Sequence, residues 1–409
     1  MFGSATFTLL GLLLVAGLLL HQLPLLLLCL ALLLAAGLSQ LWERYCFHGI
    51  EYRRRFTSSR MEFGSTVELE MEIVNRKLLP LSWLEIEDEI PRHLPPIQGR
   101  VCPSHKPDRA LLCSLIALRP YERVRRRYSI PCTSRGEHLF GPVKLRTGDL
   151  FGLVMRELVL EDVDELIIHP RTVPLARVHL PARRPLGDLR VHSWLFEDPV
   201  WIAGIREYQA RDSIRRIHWP ASARIGRLQT KVYEATTTYE LIIFVNVRSA
   251  EGGWWGLDYD PDALELAIMT AASVTVWGLE RGYQIGLCTN GMHRFSRARI
   301  DVSPANHFAQ RERILEALGR LQPLAVEPFE ATLERGTRRL PFGATLVIVS
   351  AVLTKSIAAM LITLRKRGHP IVLVLTGRED VHGPLDGVAV RRIGPPEGWR
   401  TLPALSLAF

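Results

Sequence analysis

The first 42 residues contain no Lys, Arg, Asp or Glu, and this charge-free segment constrains the fold more than any other feature of the chain. Two apolar runs fill it, at about 5–20 and 23–41, separated by His21 and Gln22. Each run is close to the ~20 residues with which a helix crosses the hydrocarbon core of a bilayer. A buried soluble hairpin is the alternative, and a cleaved signal peptide is disfavoured because no basic residues precede the apolar stretch. Residues 1–42 are therefore predicted to form two transmembrane helices.

Basic residues after the second run predict the orientation. Arg44 and the arginines at 53–55 follow that run, whereas the loop between the two runs carries no charge. Positive residues favour the cytoplasmic side, so we expect a multi-pass protein of the inner (cell) membrane with its soluble domains in the cytoplasm. The net charge of +9 suits an anionic membrane surface, and no nucleic-acid motif accompanies it, so no nucleic-acid partner is expected. The six cysteines are scattered, which predicts free thiols.

Residues 43–170 have the pattern of a strand-rich domain. Residues 66–74 alternate apolar and acidic side chains with period two, as a half-buried strand does. Similar runs occur at 81–88, 111–118, 123–130, 142–146 and 166–169, separated by turn residues. This predicts an antiparallel β-sandwich of immunoglobulin-like type. Within it, the run Arg125-Arg126-Arg127 is interpreted as a solvated face or a protected edge.

Residues 238–409 alternate apolar strand patterns with helical ones. Strands are predicted at 239–247, 284–289, 344–350, 370–376 and 388–393. Helices are predicted at 261–281, 306–321, 328–336 and 355–367, the first of them capped by Asp260 and stopped by Gly282. Such alternation predicts an open, mostly parallel α/β sheet.

A dense polar segment at 204–226 lies inside a predicted linker, residues 171–237. Charged, aromatic and small residues are interleaved there too closely for one buried helix or strand face, which predicts a structured loop with a specific role. A binding surface and an arginine network that clamps two domains are both open interpretations, and in the network His218 and Trp219 are expected to anchor the segment by packing. The candidate residues are Arg206, Tyr208, Asp212, Arg215, Arg216, His218, Trp219, Ser222 and Arg224.

This segment resembles the signature of the bacterial family called domain of unknown function 58, which reads roughly L-R-E-Y-x-P-G-D-x-x-R-x-I-H-W-x-x-S-A-R. Residues 205–224 match most of those positions, with Ala210 and Arg211 in place of Pro-Gly and Pro220 in place of a basic residue. A second resemblance lies at 135–153, where the family's Asp-Pro-Phe-Gly-Leu stands here with Leu150 for the proline.

The family resemblance implies that the α/β domain is von Willebrand factor A-like. Metal-binding domains of that type carry Asp-x-Ser-x-Ser after the first strand and a later Asp. Here Asn246, Arg248 and Ala250 occupy the first motif, and Ala351 stands where the later Asp is expected. Hard cations need carboxylate and other oxygen ligands, so the metal site is predicted to be lost and no cofactor is expected.

The sequence offers weak support for catalysis. It contains no G-x-S-x-G, H-E-x-x-H or P-loop motif. Asp212, His218 and Ser222 are the residue types of a hydrolytic triad, but closeness in sequence does not define their geometry. We therefore predict that the chain is not an enzyme.

Two functions remain open from the sequence. The first is a membrane-anchored, cytoplasm-facing scaffold or partner-binding protein; the family resemblance implies a MoxR-type AAA+ ATPase as partner, in assembly or cell-envelope processes. The second is a sensor in which the Arg-rich signature binds an anion or another small ligand, because guanidinium forks suit phosphate and carboxylate groups.

Overall fold

The computed structural model describes residues 11–15, 19, 22–149, 152, 154–176, 197–209, 214, 217–235, 240–250, 259–294, 296–338, 340–341, 343–378, 385 and 387–406. The chain divides into two compact units. The first comprises Met1–Thr172 with Leu315–Leu321, and the second comprises Val173–Ile314 with Gln322–Phe409. Most of the first predicted membrane span, residues 5–20, lies outside the described residues.

An apolar helix, α1 (Leu23–Tyr45), opens the described part of the first unit. Its stretch Leu26–Tyr45 is long and apolar enough to cross a membrane. The Nζ of Lys77 donates hydrogen bonds to the carbonyls of Tyr45 and Cys46, which satisfies acceptors at the helix C-terminus. Nearly two turns earlier, the Ser39 hydroxyl donates to a carboxylate oxygen of Asp149 at 2.5 Å. The end of α1 is thus fixed to the β-rich part of its own unit.

The β-rich part of the first unit contains three sheets. The described strands are β1 (Ile50–Phe56), β2 (Arg60–Met61), β3 (Thr66–Asn75), β4 (Leu81–Pro91), β5 (Arg100–Pro103), β6 (Arg109–Leu118), β7 (Arg123–Pro131), β8 (Gly136–Phe140), β9 (Val143–Gly148), β10 (Met155–Leu160) and β11 (Asp164–Ile168). Their orders are β1-β3-β7, β10-β9-β4-β6-β5 and β2-β11-β8, and every pair except β2 with β11 is antiparallel. The predicted antiparallel strands are therefore observed.

The core of this unit follows from period-two alternation. On β3, Val67, Leu69, Met71 and Ile73 are buried and join one apolar cluster with side chains of β4, β6, β7, β8, β9 and β11. The intervening acidic residues of β3 lie on the other side of the strand. Burial of this apolar surface supplies the main driving force for folding of the unit.

One buried arginine links strands of all three sheets. Arg54 on β1 donates to a carboxylate oxygen of Asp88 on β4 at 2.5 Å and, through Nε, to Asp164 on β11 at 2.7 Å. Its Nη2 donates to the carbonyls of Phe140 and Asp162 at 2.7 and 3.2 Å. Burial opposes the charge of Arg54, but Asp88, Tyr52 and Asp164 together outweigh it and raise the pKa of the guanidinium above its ordinary value. The arginine therefore stays charged inside the unit.

The upstream family resemblance, residues 135–153, has a structural role around this arginine. A Cβ on Gly141, whose φ is 102°, would lie 2.3 Å from the Asp162 carbonyl oxygen and 2.9 Å from Nη2 of Arg54. A Cβ on Gly148 would lie 2.7 Å from the indole ring of Trp83. Both glycines are needed because backbone and side chains approach too closely for a larger residue.

The second unit alternates strands and helices. The described elements from residue 173 onward are β12 (Leu175–Ala176), β13 (Glu197–Glu207), α2 (Trp219–Ile225), β14 (Gln229–Ala235), β15 (Glu240–Val245), α3 (Pro261–Glu280), β16 (Gln284–His293), β17 (Arg299–Ala305), α4 (Phe308–Gly319), β18 (Leu321–Ala325), α5 (Phe329–Thr337), β19 (Thr345–Ser350), α6 (Lys355–Lys366), β20 (Ile371–Leu375), β21 (Ala389–Arg392), a 3₁₀-helix (Pro396–Arg400) and β22 (Leu405–Ser406).

The main sheet of this unit has the order β17-β16-β15-β19-β20-β21, with β18 also paired to β16. Strands β16, β15, β19, β20 and β21 run parallel to one another, whereas β17 is antiparallel to β16. The predicted parallel pairing is therefore observed. The antiparallel strand β17 and the additional strand β18 were not predicted from the sequence. The strand order reverses between β15 and β19, which creates a switch point at their carboxyl ends.

Helix α3 is predominantly apolar, and it belongs to the core of the unit. Its length and composition meet the same criterion as α1 for crossing a membrane, but it is mostly buried and contacts β15, β16 and β19. As predicted, the Asp260 carboxylate caps it by accepting from the backbone N–H groups of Asp262 and Ala263, both at 3.1 Å. The buried hydroxyls of Thr270 and Thr275 donate to carbonyls one turn earlier, so they carry little penalty for burial.

Candidate functional site

The signature segment is built on a two-stranded ribbon. In the range 171–237, predicted as a linker with a signature loop, the described residues include β13 and β14, which pair antiparallel with Glu207 opposite Gln229. Beyond the paired residues, the N–H of Tyr208 donates to the Leu228 carbonyl and the N–H of His218 donates to the Gln229 carbonyl, both at 2.8 Å. The first bond extends the pairing of the ribbon by one residue, and the second holds the start of α2 on β14.

Helix α2 is short and begins and ends through local hydrogen bonds. His218 is its N-cap, and the ring Nδ1 accepts from the backbone N–H of Ala221 at 3.1 Å. Pro220 stands in the first turn, where its missing N–H costs nothing. At the other end Gly226 is left-handed, with φ of 71°, and its N–H donates to the Ser222 carbonyl. His218 therefore acts as a cap, a role that its residue type alone does not indicate.

Ser222 is the buried centre of this element. Its hydroxyl donates to the backbone carbonyl of His218 at 3.0 Å and accepts from the backbone N–H of Gln229 at 2.8 Å. Only 8% of the residue is exposed. The Ser222 hydroxyl thus bonds to the His218 backbone and not to its ring, so these two residues do not form a nucleophile and base pair. Asp212, the third residue type of a triad, lies outside the described residues.

Other signature side chains point toward solvent. Arg206 and Arg224 are exposed, and Nη1 of Arg206 donates to the Glu207 carbonyl at 3.1 Å. Trp219 is 63% exposed, so the prediction that its indole anchors the segment by packing is wrong. The physical reason is its place in the first turn of a helix that lies on a two-stranded ribbon and buries Ser222 instead. Arg215 and Arg216 lie outside the described residues.

Residues that the sequence analysis did not select lie on the same element and are also exposed. They are the apolar residues Ile205, Ile225 and Leu228 and the basic residue Arg227. We call Ile205, Arg206, Trp219, Arg224, Ile225, Arg227 and Leu228 together the ribbon surface. A signal was present in the sequence, since apolar residues directly flank a polar motif at both ends. The ion pair between Arg227 and Glu207, at 3.5 Å, is exposed and contributes little stability.

A second candidate site lies at the carboxyl ends of β15, β16 and β19. There Nδ2 of Asn246 donates to the Ser350 hydroxyl, and Nδ2 of Asn290 donates to Oδ1 of Asn246, both at 2.9 Å. Oδ1 of Asn246 also accepts from the N–H of Arg248 at 3.1 Å, and Oδ1 of Asn290 accepts from the N–H of Val247 at 2.9 Å. The two amides and the hydroxyl are at most 2% exposed.

This network does not suit a divalent cation. It contains two neutral amides and one hydroxyl, and the oxygens that a cation would use already accept hydrogen bonds. The nearby Asp260 carboxylate caps α3 and lies 3.6 Å from Nε of Arg378. Hard cations such as Mg²⁺ require several available oxygens, and carboxylates supply most of the binding charge. Across the described parts of the chain, no group of three or more His, Cys, Asp or Glu side chains forms a metal-binding cluster.

Comparison with known proteins assigns the C-terminal half of the chain. Residues 204–401 match the family model described as "Protein of unknown function DUF58". Over 262 residues the chain is 23% identical to "Uncharacterized protein YeaD" of Bacillus subtilis (strain 168). That similarity covers 64% of this chain and 60% of YeaD, so the chain spans about three fifths of the length of this relative. The resemblance inferred from the signature residues is confirmed.

Solved structures are similar to a smaller part of the chain. A cohesin module of a Clostridium perfringens family 33 glycoside hydrolase is 12% identical, with a TM-score of 0.21, covering 29% of this chain and 96% of that chain. The CARDB domain of the PF1109 protein of Pyrococcus furiosus is 11% identical, with a TM-score of 0.20, covering 29% and 86%. Similarity at this level carries no argument about the fold or the function of the chain.

Proposed function

Because residues 204–401 match a family model of unknown function, DUF58, we propose a function from the chain's own surface: it is a membrane-anchored protein that binds a partner protein through the ribbon surface. The partner that we propose is a MoxR-type AAA+ ATPase, acting with this chain in assembly or cell-envelope processes. The soluble units are proposed to face the cytoplasm, where such an ATPase has its nucleotide.

The exposure of Trp219 carries this proposal. A large aromatic side chain that is 63% exposed on a hydrogen-bonded frame contributes little to folding, whereas Trp and Arg supply much of the binding energy of protein interfaces. Ile225 and Leu228 are further exposed apolar residues of the same element, and the exposed Arg224 adds charge. The frame is held by the backbone bonds of Tyr208, His218 and Ser222, so little conformational entropy is lost on binding.

The same geometry argues for binding over catalysis. The Ser222 hydroxyl and the His218 ring nitrogen Nδ1 both take part in bonds that shape α2. A nucleophile must instead be activated by a base within hydrogen-bond reach. We therefore propose that the signature serves recognition and that the chain has no catalytic activity of its own.

The order of the sheets supports two finer proposals about the fold. An open sheet in which the antiparallel strand β17 lies beside five parallel strands is the arrangement that we propose to be von Willebrand factor A-like. The antiparallel sheets of the first unit share one apolar core, which supports an immunoglobulin-like sandwich. An experimental structure superposed on both fold types tests these assignments.

The membrane anchor is tested by fusions to the C-terminus. The apolar residues Leu26–Tyr45 and the basic residues that follow support an anchor with the soluble units inside the cell. Green fluorescent protein fused after Phe409 should then fluoresce, and alkaline phosphatase fused there should be inactive. An active phosphatase fusion, with a dark fluorescent fusion, would reverse the orientation.

The partner is tested by capture from membranes with the full chain. Trp219→Ala and Arg224→Ala should abolish recovery of an AAA+ ATPase, identified by mass spectrometry, while the melting temperature stays unchanged because both side chains are exposed. Phe308→Ala and Arg338→Ala are matched controls, since they remove an exposed aromatic ring and an exposed guanidinium elsewhere.

Each outcome of the capture experiment has a distinct meaning. Loss of the ATPase with the two ribbon variants and not with the controls supports the proposal. Equal recovery with all four variants contradicts a role for the ribbon surface. If the ribbon arginines retain a small anion and no protein, the alternative function, a sensor for an anionic ligand, replaces partner binding.

A further inference from the structure

The arginine run of β7 divides between two faces of the strand. Arg125 and Arg127 lie opposite Glu72 and Glu70 of β3 and form ion pairs with them, at 3.3 and 3.0 Å. This is the solvated face that the sequence predicts. Arg126 is on the other face, opposite the buried Met71 and in line with the buried side chain of residue 128. An arginine on the core side of a strand requires a separate explanation.

Arg126 reaches an open groove within the first unit. The groove has a volume of about 470 Å³ and is lined by residues of β7, β6 and the start of β5. Strands β7 and β5 are each the last strand of their sheet, so the groove lies where two sheet edges face each other. Arg126 holds its position there by donating from Nη2 to the Leu115 carbonyl of β6 at 3.1 Å.

Positive charge predominates among the residues that line this groove. Arg100, Arg126 and Arg127 line it, and no Asp or Glu is among the described lining residues. Arg100 is exposed and pairs through its backbone with β6, and within the described ranges its guanidinium makes no hydrogen bond or ion pair. Arg127 is bonded through Nε to Glu70, which lies outside the groove. Arg100 and Arg126 therefore have guanidinium N–H groups that are not bonded to protein atoms.

The inner wall of the groove supplies a further donor. The hydroxyls of Ser114 and Tyr128 lie 2.7 Å apart, and both residues are more than nine-tenths buried. Whichever hydroxyl donates, the accepting hydroxyl retains a proton of its own that is not used in this bond. Gly99 lets the chain pass close to the ring, since a Cβ there would lie 2.9 Å from Tyr128. Burial raises the pKa of the Cys113 thiol in the same wall, so no thiolate competes for the cations.

We propose that this groove is a binding site for an anionic group of phosphate or sulfate geometry. Arg100 and Arg126 supply the charge and forked N–H donors, and the Ser114–Tyr128 pair supplies a neutral O–H donor. Guanidinium forks match such tetrahedral oxyanions, and charge-assisted hydrogen bonds are about twice as strong as neutral ones. The site is separate from the ribbon surface and does not depend on the proposed partner.

Calorimetric titration of the full chain in a neutral detergent with inorganic phosphate tests this site. Arg100→Gln and Arg126→Gln should each weaken binding by about ten- to hundredfold, as expected for loss of a charged hydrogen-bond donor. Arg123→Gln is the matched control, because it removes the same charge from the same strand, is exposed, and pairs with Glu72 outside the groove. Arg100 is exposed, so its variant should fold normally even if Arg126→Gln does not.

The results distinguish a specific binding site from nonspecific attraction of phosphate to surface charge. Weaker binding in Arg100→Gln with an unchanged affinity in Arg123→Gln supports the site. The absence of phosphate binding to the unaltered chain, or an equal loss in Arg100→Gln and Arg123→Gln, would overturn it. Glycerol 3-phosphate then identifies the source: tighter binding than inorganic phosphate indicates a lipid headgroup, and equal binding indicates free phosphate.

Discussion

Two buried polar clusters, one in each unit, connect strands through polar groups of different chemistry. In the first unit, Arg54 and Asp88 form a charged pair with side chains at most 2% exposed. In the second unit, Asn246, Asn290 and Ser350 form a neutral network that is equally buried. Both clusters join strands that are distant in sequence. The charged cluster lies between sheets, whereas the neutral one lies at strand ends within a single sheet.

The difference indicates how each unit responds to the loss of a buried polar partner. Two buried charges stabilise a fold only while both partners and their other hydrogen bonds remain in place. A neutral amide network costs less to bury, but each of its donors and acceptors still needs a partner. The neutral network also lies at a switch point, where open α/β sheets usually bind ligands. In this chain the oxygens at that point are already bonded to neighbouring amides and backbone.

The largest effect is expected from breaking the charged cluster. Asp88→Ala leaves the buried Arg54 without its main partner and should lower the free energy of unfolding by about 3–5 kcal/mol. Denaturant unfolding of the purified full chain measures this loss. The double variant Arg54→Met/Asp88→Asn removes both charges and should recover part of it. A loss below about 1 kcal/mol in Asp88→Ala would mean that the pair is rehydrated and not structurally required.

A smaller effect is expected from breaking the neutral network. Asn246→Ala leaves Nδ2 of Asn290 and the N–H of Arg248 without their acceptor, at a cost of about 1–3 kcal/mol for a buried unsatisfied group. The same denaturant experiment measures it. Thr363→Ala is a control, since that hydroxyl bonds to the carbonyl of Ala359 on an exposed helix face. Equal losses of stability in Asn246→Ala and Thr363→Ala would mean that the buried network contributes no more than an exposed hydroxyl bond, which would contradict the comparison between the two clusters.

Lowering the pH should reduce the stability contributed by the ion pairs on the outer face of β3 but not that contributed by the neutral network. Burial raises the pKa of Glu72, but the hydrogen bond from Arg125 and the charge of Arg123 outweigh it and hold the pKa below its ordinary value of 4.5. A depressed folded-state pKa contributes stability that is fully present above 4.5 and is lost as the pH falls through the lower folded value.

This acid effect is measured by thermal melting as a function of pH. Glu72→Gln removes the titrating group, so its melting temperature should fall less in acid than that of the unaltered chain. Asn246→Ala should follow the unaltered chain, because no member of its network titrates in this range. Identical profiles for Glu72→Gln and the unaltered chain would exclude this contribution.

The smallest effect is expected from metal ions. Mg²⁺ raises the melting temperature of a protein that binds it only when folded. The network around Asn246 lacks a carboxylate, and its amide oxygens already accept hydrogen bonds, so millimolar Mg²⁺ should leave the melting temperature unchanged. A clear rise in the melting temperature that disappears in Asn246→Ala would contradict the prediction that the network does not bind Mg²⁺.

Local patterns in the sequence predicted much of the fold. The alternation on β3, the apolar run of β15 and the Asp260 cap of α3 are all observed because each depends on residues a few positions apart. The signature residues also identified the family correctly. The role of Trp219 was predicted wrongly. The residue type favours burial of an indole, but whether neighbouring segments provide a surface that covers it depends on the tertiary structure.

The candidate sites were less predictable than the elements that carry them. Sequence alone selected His218 and Ser222, but their bonds to Ala221 and Gln229 depend on how α2 lies on the ribbon. Arg126 was interpreted together with its two neighbours as one charged run. Its separate position emerged only once the register with Met71 was known, since a strand directs alternate side chains to opposite faces.

The sequence by itself determined an apolar N-terminal helix, a strand-rich region, an alternating α/β region and the DUF58 signature, because periodicity and local motifs record these directly. Tertiary structure alone decided the strand orders, the partners of Arg54 and the saturation of Asn246. Arg54 meets Asp88 and Asp164 across 34 and 110 residues, and Asn246 meets Ser350 across 104. Such pairs form where folding brings distant strands together, and no local rule in the sequence specifies which buried donor will meet which acceptor.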